Sequence, residues 1–428
     1  MAAGRVTVIL VRKLSAEGRS PRAFSHRSYG EAPMTTLYHL ISSDGHLEVP
    51  PERWRDRVPG HLRERAPRTI RLPNGGDGLA IEGLAPLEAN FLDLRAGRPT
   101  GQWQPFGLRV EDAAGTGSPE QRVREQQLDG IDAEVLFPAM LAGPVIWRKI
   151  KDDELYRTVV RAYNDWLAED YCSVAPARLI GIGVIPETNI SDAVNELQHC
   201  AELGLKGVVL GNFPSGNDYP SPEDDRFWQA ALDAGIGVTV HTKLNPLAGV
   251  AGPVPPRLFV YPKEDPALMQ RMRRGFLEWI TIFGLPPAVS IAQLVLAGVF
   301  ERFPSLKIFF AETRLGWVPF WLESCDLWYQ RHIGWAQDYL GLTPLTRRPS
   351  DYVRDHIYFS VQYERVAVEL RHHIGVGKIM FATDFPHIEC EWPKSKPLVD
   401  QIYADVPEDE KHRMWAGNAI EFFKLAKA

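Results

Sequence analysis

Long uninterrupted apolar runs are missing from this chain. Its most hydrophobic stretch, residues 276–300, is broken by Glu278 and by Pro286-Pro287, so it cannot form one membrane-spanning helix. Cysteine is scarce: Cys172, Cys200, Cys325 and Cys390 have neither metal-knuckle nor redox spacing. Buried free thiols in a reducing compartment, the cytoplasm, are therefore expected. Charge of neither sign is in excess. A formal net charge of −6 over 428 residues argues against nucleic acid and membrane lipid as partners. Internal repeats and low-complexity blocks are also absent. Gly75-Gly76-Asp77-Gly78 reads as a mobile turn and not a phosphate loop, because no strand precedes it and no Lys-Ser/Thr follows.

What is present is ordinary for a globular enzyme: 45% hydrophobic and 24% charged residues, with length enough for one large α/β barrel. Residues 1–33 stand apart, with Arg5, Arg12, Lys13, Arg19, Arg22 and Arg27 against Glu17 and Glu31. Arginine-rich, acid-poor leaders can be transit peptides. Met34 directly precedes the first strand-like run, so residues 1–33 are set aside as an upstream or disordered extension. Residues 34–428 are read as a single domain.

Short apolar, β-branched runs alternate with helical patterns, which is the signature of parallel α/β architecture. Strands are predicted at 37–42, 133–137, 179–185, 207–210, 237–240, 307–311, 357–361 and 378–382. Helices are predicted over 152–171, from a Ser191 cap to about Gly204, over 317–329, from Ser350, and over 407–415 and 418–425. Two long connections, 47–129 and 243–287, follow the first and fifth strands. Their Trp54, Trp103, Phe106, Tyr261 and Trp279 suit a partly aromatic pocket or a subunit contact, with packing the commoner use of such residues. The architecture expected is a distorted (β/α)8 TIM barrel with long insertions after strands 1 and 5, whose active site lies at the C-terminal strand ends.

Three polar constellations fall on that rim. Asp44 and His46 follow the first strand two residues apart, so on extended backbone they project to one side. An oxygen and a nitrogen donor there suit a borderline divalent ion, although such a tripeptide alone is equally a turn carboxylate beside a surface histidine. His241 ends the run Gly237-Val-Thr-Val-His, where a hydrogen-bonded core histidine is the simpler reading in isolation. Asp384, in Ala382-Thr-Asp-Phe-Pro-His387, ends the eighth strand. Buried, it needs a cation or strong donors; exposed, it is a turn or cap residue. Their coincidence at one rim is the stronger signal.

Together with Glu312-x-x-x-Gly316-Trp317-x-Pro319 and Gly417-Asn418-Ala419, these motifs resemble the amidohydrolase-related family, relatives of aminocarboxymuconate-semialdehyde decarboxylase, from about Tyr38 to Leu425. The resemblance implies one divalent ion, zinc or manganese, held by Asp44, His46, His241 and Asp384, with Asp384 also relaying a proton. Decarboxylases of the family usually carry a histidine at the end of strand six; here Glu312 stands there. Three roles are open to Glu312: orienting a histidine ligand, acting as general acid or base, or serving as a weak ligand. Pairing with Arg314 or another base is the plainer alternative. At the end of strand four Leu210-Gly211-Asn212 offers no lysine, which argues against a second ion. His387 either contacts the ligand or is a loop histidine, Asn418 is expected to cap a helix, and the remaining histidines, His372 and His373 included, are expected to be solvated.

The activity expected first is hydrolysis of a small organic substrate by an activated water, with Asp384 as base and Glu312 or His387 assisting. The alternative is non-oxidative decarboxylation of an aromatic or muconate-like acid. Self-association, as a dimer, is expected as well.

Overall fold

The computed structural model describes residues 38–84, 87–88, 94–99, 107–140, 143–244 and 285–426, with scattered positions between 265 and 277. The 1–33 extension, Trp103, Phe106, Tyr261 and Trp279 lie outside the described residues.

Strands form in chain order as β1 (Ile41–Leu47), β2 (Arg68–Arg71), β3 (Asp77–Ala80), β4 (Leu87–Glu88), β5 (Ala133–Pro138), β6 (Leu179–Val184), β7 (Gly207–Leu210), β8 (Gly237–His241), β9 (Ile308–Ala311), β10 (Ile357–Val361) and β11 (Ile379–Phe381). Eight of them make one parallel sheet in the order β1-β5-β6-β7-β8-β9-β10-β11, the expected (β/α)8 barrel. Continuous runs such as LIGIGV, GVVL and IFFA are buried along their whole length, because helices cover the outside and side chains fill the inside. Glycine in β6 permits the close helix approach. A Cβ on Gly183 would stand 2.6 Å from Cys200 Sγ, and one on Gly181 would stand 2.9 Å from Cys172 Sγ. Cys172, Cys200 and Cys390 are buried small apolar groups, as expected, whereas Cys325 is only half-buried.

Among the described residues, the helices of eight residues or more are α1 (Pro119–Asp129), α2 (Asp153–Trp166), α3 (Ile190–Glu202), α4 (Asp225–Ala234), α5 (Pro287–Leu296), α6 (Val318–Leu340), α7 (Pro349–His356) and α8 (Ser395–Ile402). Several local details differ from the sequence reading. Asn189, and not Ser191, caps α3 by accepting from Asp192 N at 3.0 Å. Helix α6 runs eleven residues past 329, because Gly334 is tolerated within it. Ser350 lies inside α7, where its hydroxyl donates to Asp326 at 2.6 Å. Asn418 caps nothing. It is buried, and its amide donates to Val376 O (2.8 Å) and Ile379 O (2.6 Å), tying the last helix to β11. His356 is buried, not solvated, with Nδ1 2.7 Å from Leu306 O.

The first long connection carries its own antiparallel sheet, β2-β3-β4. A strand therefore does precede Gly75-Gly76. The turn is a hairpin connection, since β2 pairs antiparallel with β3. Trp54 is core, edge-on to Trp147 (5.3 Å) and Tyr163 (6.3 Å).

The feature that positions the site is the seam between β11 and β1. Beyond Phe381 the chain reaches across to β1, with Asp384 N donating to Asp44 O (2.9 Å) and His46 N to Phe385 O (2.7 Å). Thr383 N donates to Ser42 Oγ at 2.9 Å. Arg122 of α1 locks this seam from outside. It is buried, donating to His46 O (2.9 Å), Phe385 O (3.1 Å) and Glu134 (2.7 Å), with its guanidinium 4.4 Å from the Phe385 ring centre.

Candidate metal centre

Strand β1 begins later than predicted, so Asp44 and His46 lie within it and not after it. Their polarity suggested a strand end, but the ladder to β5 continues through Leu47↔Pro138. A bulge between Ser42 and Gly45 interrupts that ladder; bulges of this kind re-aim side chains beside active sites. Asp44 and His46 are completely buried, and His46 Nε2 stands 3.4 Å from Asp44 Oδ1.

The predicted ligands fall into two overlapping groups that share His46: Asp44, His46 and His241, and His46 and Asp384 with His387. His46 Nε2 is 3.0 Å from His241 Nε2 and 3.3 Å from Asp384 Oδ1, and His241 Nε2 is 3.6 Å from Asp44 Oδ1. His46 Nδ1 sits 3.1 Å from the Pro138 carbonyl, which calls for the proton on Nδ1 and leaves the Nε2 lone pair facing the cluster. Both oxygens of Asp44 are buried and accept no hydrogen bond, and Asp384, equally buried, has only the imidazole nitrogens of His46 (3.3 Å) and His387 (3.2 Å) beside Oδ1. Buried carboxylate oxygens opposite these nitrogens are costly without a cation and suit one divalent ion. Among the described residues the end of β7 offers no lysine. Asn212 there bonds locally to Gly216 O and Phe213 N, consistent with a single ion.

The electrostatics agree. Burial lowers His46 and brings His241 down to about 4, so both are neutral donors. Burial raises Asp44 to about 7, with His46 opposing the rise and the charge of Asp384 adding to it. Burial opposes ionisation of Asp384 too, but His387 and His46 hold it below the usual range.

His387, one turn beyond Asp384, faces the cluster and is not a free loop residue. Its Nδ1 is 3.2 Å from Asp384 Oδ1, its Nε2 is 3.0 Å from Glu48 Oε1, and its ring stacks on His46 at 4.0 Å. Burial disfavours its charged form, yet Asp384 and Glu48 raise its pKa well above the ordinary value. Glu312 directly follows β9, with Oε2 3.6 Å from His241 Nδ1; burial, then the charges of Asp384 and Asp44, raise its pKa. The alternative pairing with Arg314 fails, because that guanidinium bonds to Glu389.

Backbone strain gathers at the same rim. Thr242, Glu312, Arg314 and Asp384 have φ of 56°, 54°, 47° and 56°, values uncommon outside glycine and concentrated at functional sites.

Two contributors escaped the sequence reading. Glu48 is buried beside His387 and continues the alternation Asp44, His46, Glu48, a signal that was available. Arg122 gave none, since it lies in the polar segment PEQRVREQQLD.

Ion binding has a direct test. An ion that binds only the folded chain adds about 2.7 kcal/mol at a hundred times its Kd. Thermal melting should fall on chelation and recover with manganese or zinc. Identical melting with and without chelator would rule out an ion at this cluster.

Comparison with known proteins places this geometry. A sequence profile described as Amidohydrolase matches residues 44–425. The 2-amino-3-carboxymuconate-6-semialdehyde decarboxylase of Dictyostelium discoideum is 25% identical over 72% of this chain and 77% of its own length. The gamma-resorcylate decarboxylase of Polaromonas sp. is 23% identical over 81% of this chain and 98% of its own. A 5-carboxyvanillate decarboxylase structure from Novosphingobium aromaticivorans, complexed with manganese and 4-hydroxy-3-methoxy-5-nitrobenzoic acid, shares the fold. Its TM-score is 0.61 at 19% identity, covering 91% of this chain and 96% of that one. The chain belongs to the amidohydrolase family, in the branch of aminocarboxymuconate-semialdehyde decarboxylase relatives.

Proposed function

We propose that this chain is a non-oxidative decarboxylase of an aromatic or muconate-like carboxylic acid, using one divalent ion, manganese or zinc. The order of the two sequence expectations is thereby reversed, with hydrolysis second. The observation that carries this reading is that the two curated relatives described above, matched over 77% and 98% of their lengths, are named as decarboxylases of acids of this kind.

Asp44, His46, His241 and Asp384 would hold the ion, which supplies Lewis-acid binding for the substrate's carboxylate and a neighbouring oxygen. The remaining chemistry belongs to the chain. Loss of CO2 breaks the bond between the carboxyl and ring carbons and leaves an electron pair on the ring. A proton must reach that carbon. His387, held between Asp384 and Glu48, stores it at Nδ1 and delivers it by way of Asp384 Oδ1. Glu48 supports the imidazolium, and solvent restores the proton afterwards. Glu312 stands beside His241, with Oε2 3.6 Å from Nδ1, where its carboxyl acts on that donor electrostatically. The four free thiols suit a cytoplasmic enzyme.

Glu312 also favours the second reading, because it stands where decarboxylases of the family usually have histidine and can serve as a proton donor in hydrolysis. A substrate panel separates the two. CO2 release from hydroxybenzoates, resorcylates and carboxyvanillates is expected with the manganese- or zinc-loaded enzyme. Turnover confined to esters, lactones or amides would replace decarboxylation by hydrolysis.

A further inference from the structure

Away from the metal centre, at the N-terminal ends of the barrel strands, a cavity of about 490 Å³ opens between α7 and the starts of β9 and β11. Its lining includes Lys307, Arg347, Asp355, His356 and Lys378. Lys307 immediately precedes β9, and Lys378 immediately precedes β11. Both donate to one carbonyl in the last turn of α7, Asp355 O, from Lys307 Nζ at 2.7 Å and from Lys378 Nζ at 2.9 Å. Lys378 Nζ also stands 4.2 Å from the centre of the Tyr358 ring.

One lysine on a helix C-terminal carbonyl is favourable capping. A second on the same oxygen brings two like charges together in a half-buried place, which costs energy unless an anion offsets it. The carboxylates nearby are already engaged. Asp355 Oδ2 accepts from Arg347 at 2.6 Å, and Glu421 accepts from Arg413 at 2.6 Å. Glu301 accepts from Thr346 N at 2.8 Å and from the Tyr352 hydroxyl. Neither lysine has an ion-pair partner among the described residues. Burial, and then the charge of Lys307, brings Lys378 down to about 8, and burial lowers Lys307 as well. His356 adds no charge: its Nδ1 faces Leu306 O, and burial lowers its pKa.

We propose that this cavity is a phosphate site, holding a phosphate group, free or carried by a small molecule, between the ammonium groups of Lys307 and Lys378. Each ammonium has three N–H donors and spends one on Asp355 O, so two on each remain for an anion. A phosphate brings roughly two negative charges and several acceptor oxygens, which matches both cations; a carboxylate brings a single charge. Barrel active sites lie at the opposite, C-terminal face, so the ligand ties β9, β11 and α7 together and stabilises the fold without entering the reaction. The proposal is independent of the reaction assigned above.

Calorimetric titration of the metal-loaded chain with inorganic phosphate, against chloride at matched ionic strength, tests it. Wild type should bind phosphate and melt higher in its presence. Lys307→Gln and Lys378→Gln should each weaken that binding about tenfold or more, with circular dichroism and bound metal unchanged. Lys378→Arg keeps the charge and should retain binding, which separates loss of the site from loss of the fold. Glycerol phosphate and ribose phosphate identify the source: tighter binding than inorganic phosphate means a phosphorylated small molecule, and equal or weaker binding means the free ion. Failure of wild type to bind any of the three overturns the proposal. Phosphate binding that persists unweakened in Lys307→Gln/Lys378→Gln belongs to the metal centre or another surface and overturns it equally.

Discussion

Replacing Asp384 with asparagine is expected to lower kcat about a thousandfold while the fold and bound metal survive. The substitution is nearly isosteric, and asparagine adopts positive φ readily, so the backbone at φ 56° and the bond from its amide to Asp44 O are preserved. One oxygen donor also remains. What disappears is the charge that pairs with His387 and the oxygen able to accept and pass on its proton. A positioned general acid or base contributes about 10²–10⁴ in rate, so the loss should appear in kcat more than in KM. Steady-state kinetics with metal analysis of the same sample is the measurement. Turnover near wild type would remove Asp384 from the proton path.

The second large effect is on stability. Arg122→Met should cost about 3–5 kcal/mol, because it leaves Glu134 charged and buried with only Gln126 beside it. It also strips a donor from the carbonyls of His46 and Phe385, the two segments that carry ligands across the seam. Metal affinity should therefore fall along with the denaturation midpoint. Arg122→Met/Glu134→Met should recover much of the loss, since removing both charges ends the uncompensated burial. A single variant within 1 kcal/mol of wild type in urea unfolding, with unchanged metal affinity, would mean that the arginine is a passenger.

These two predictions fall on residues of unequal visibility. Asp384 could be found from the sequence because it follows a short apolar run and carries a motif. Arg122 could not, because a helix of polar residues gives no periodic sign of which one turns inward. Glu48 lies between the cases: its i+2 spacing from His46 was legible, but its partner is 339 positions away.

By itself the sequence determined the eight barrel strands to within a few residues and the β/α alternation, which depend on local properties: runs of buried β-branched residues and turn chemistry. It marked Asp44, His46, His241 and Asp384 as polar groups near one rim, and only the resemblance to the family singled them out as a ligand set. Only the tertiary structure decided that Asp44 and His46 lie within a bulged strand, that His387 bridges Asp384 and Glu48, and that a buried arginine clamps the seam on which the site is built. It also decided that α6 continues to Leu340 with an aromatic face turned outward. The physical reason is the same in each case. These features come from contacts between residues far apart in the chain, and burial there depends on which segments meet, something no local pattern records.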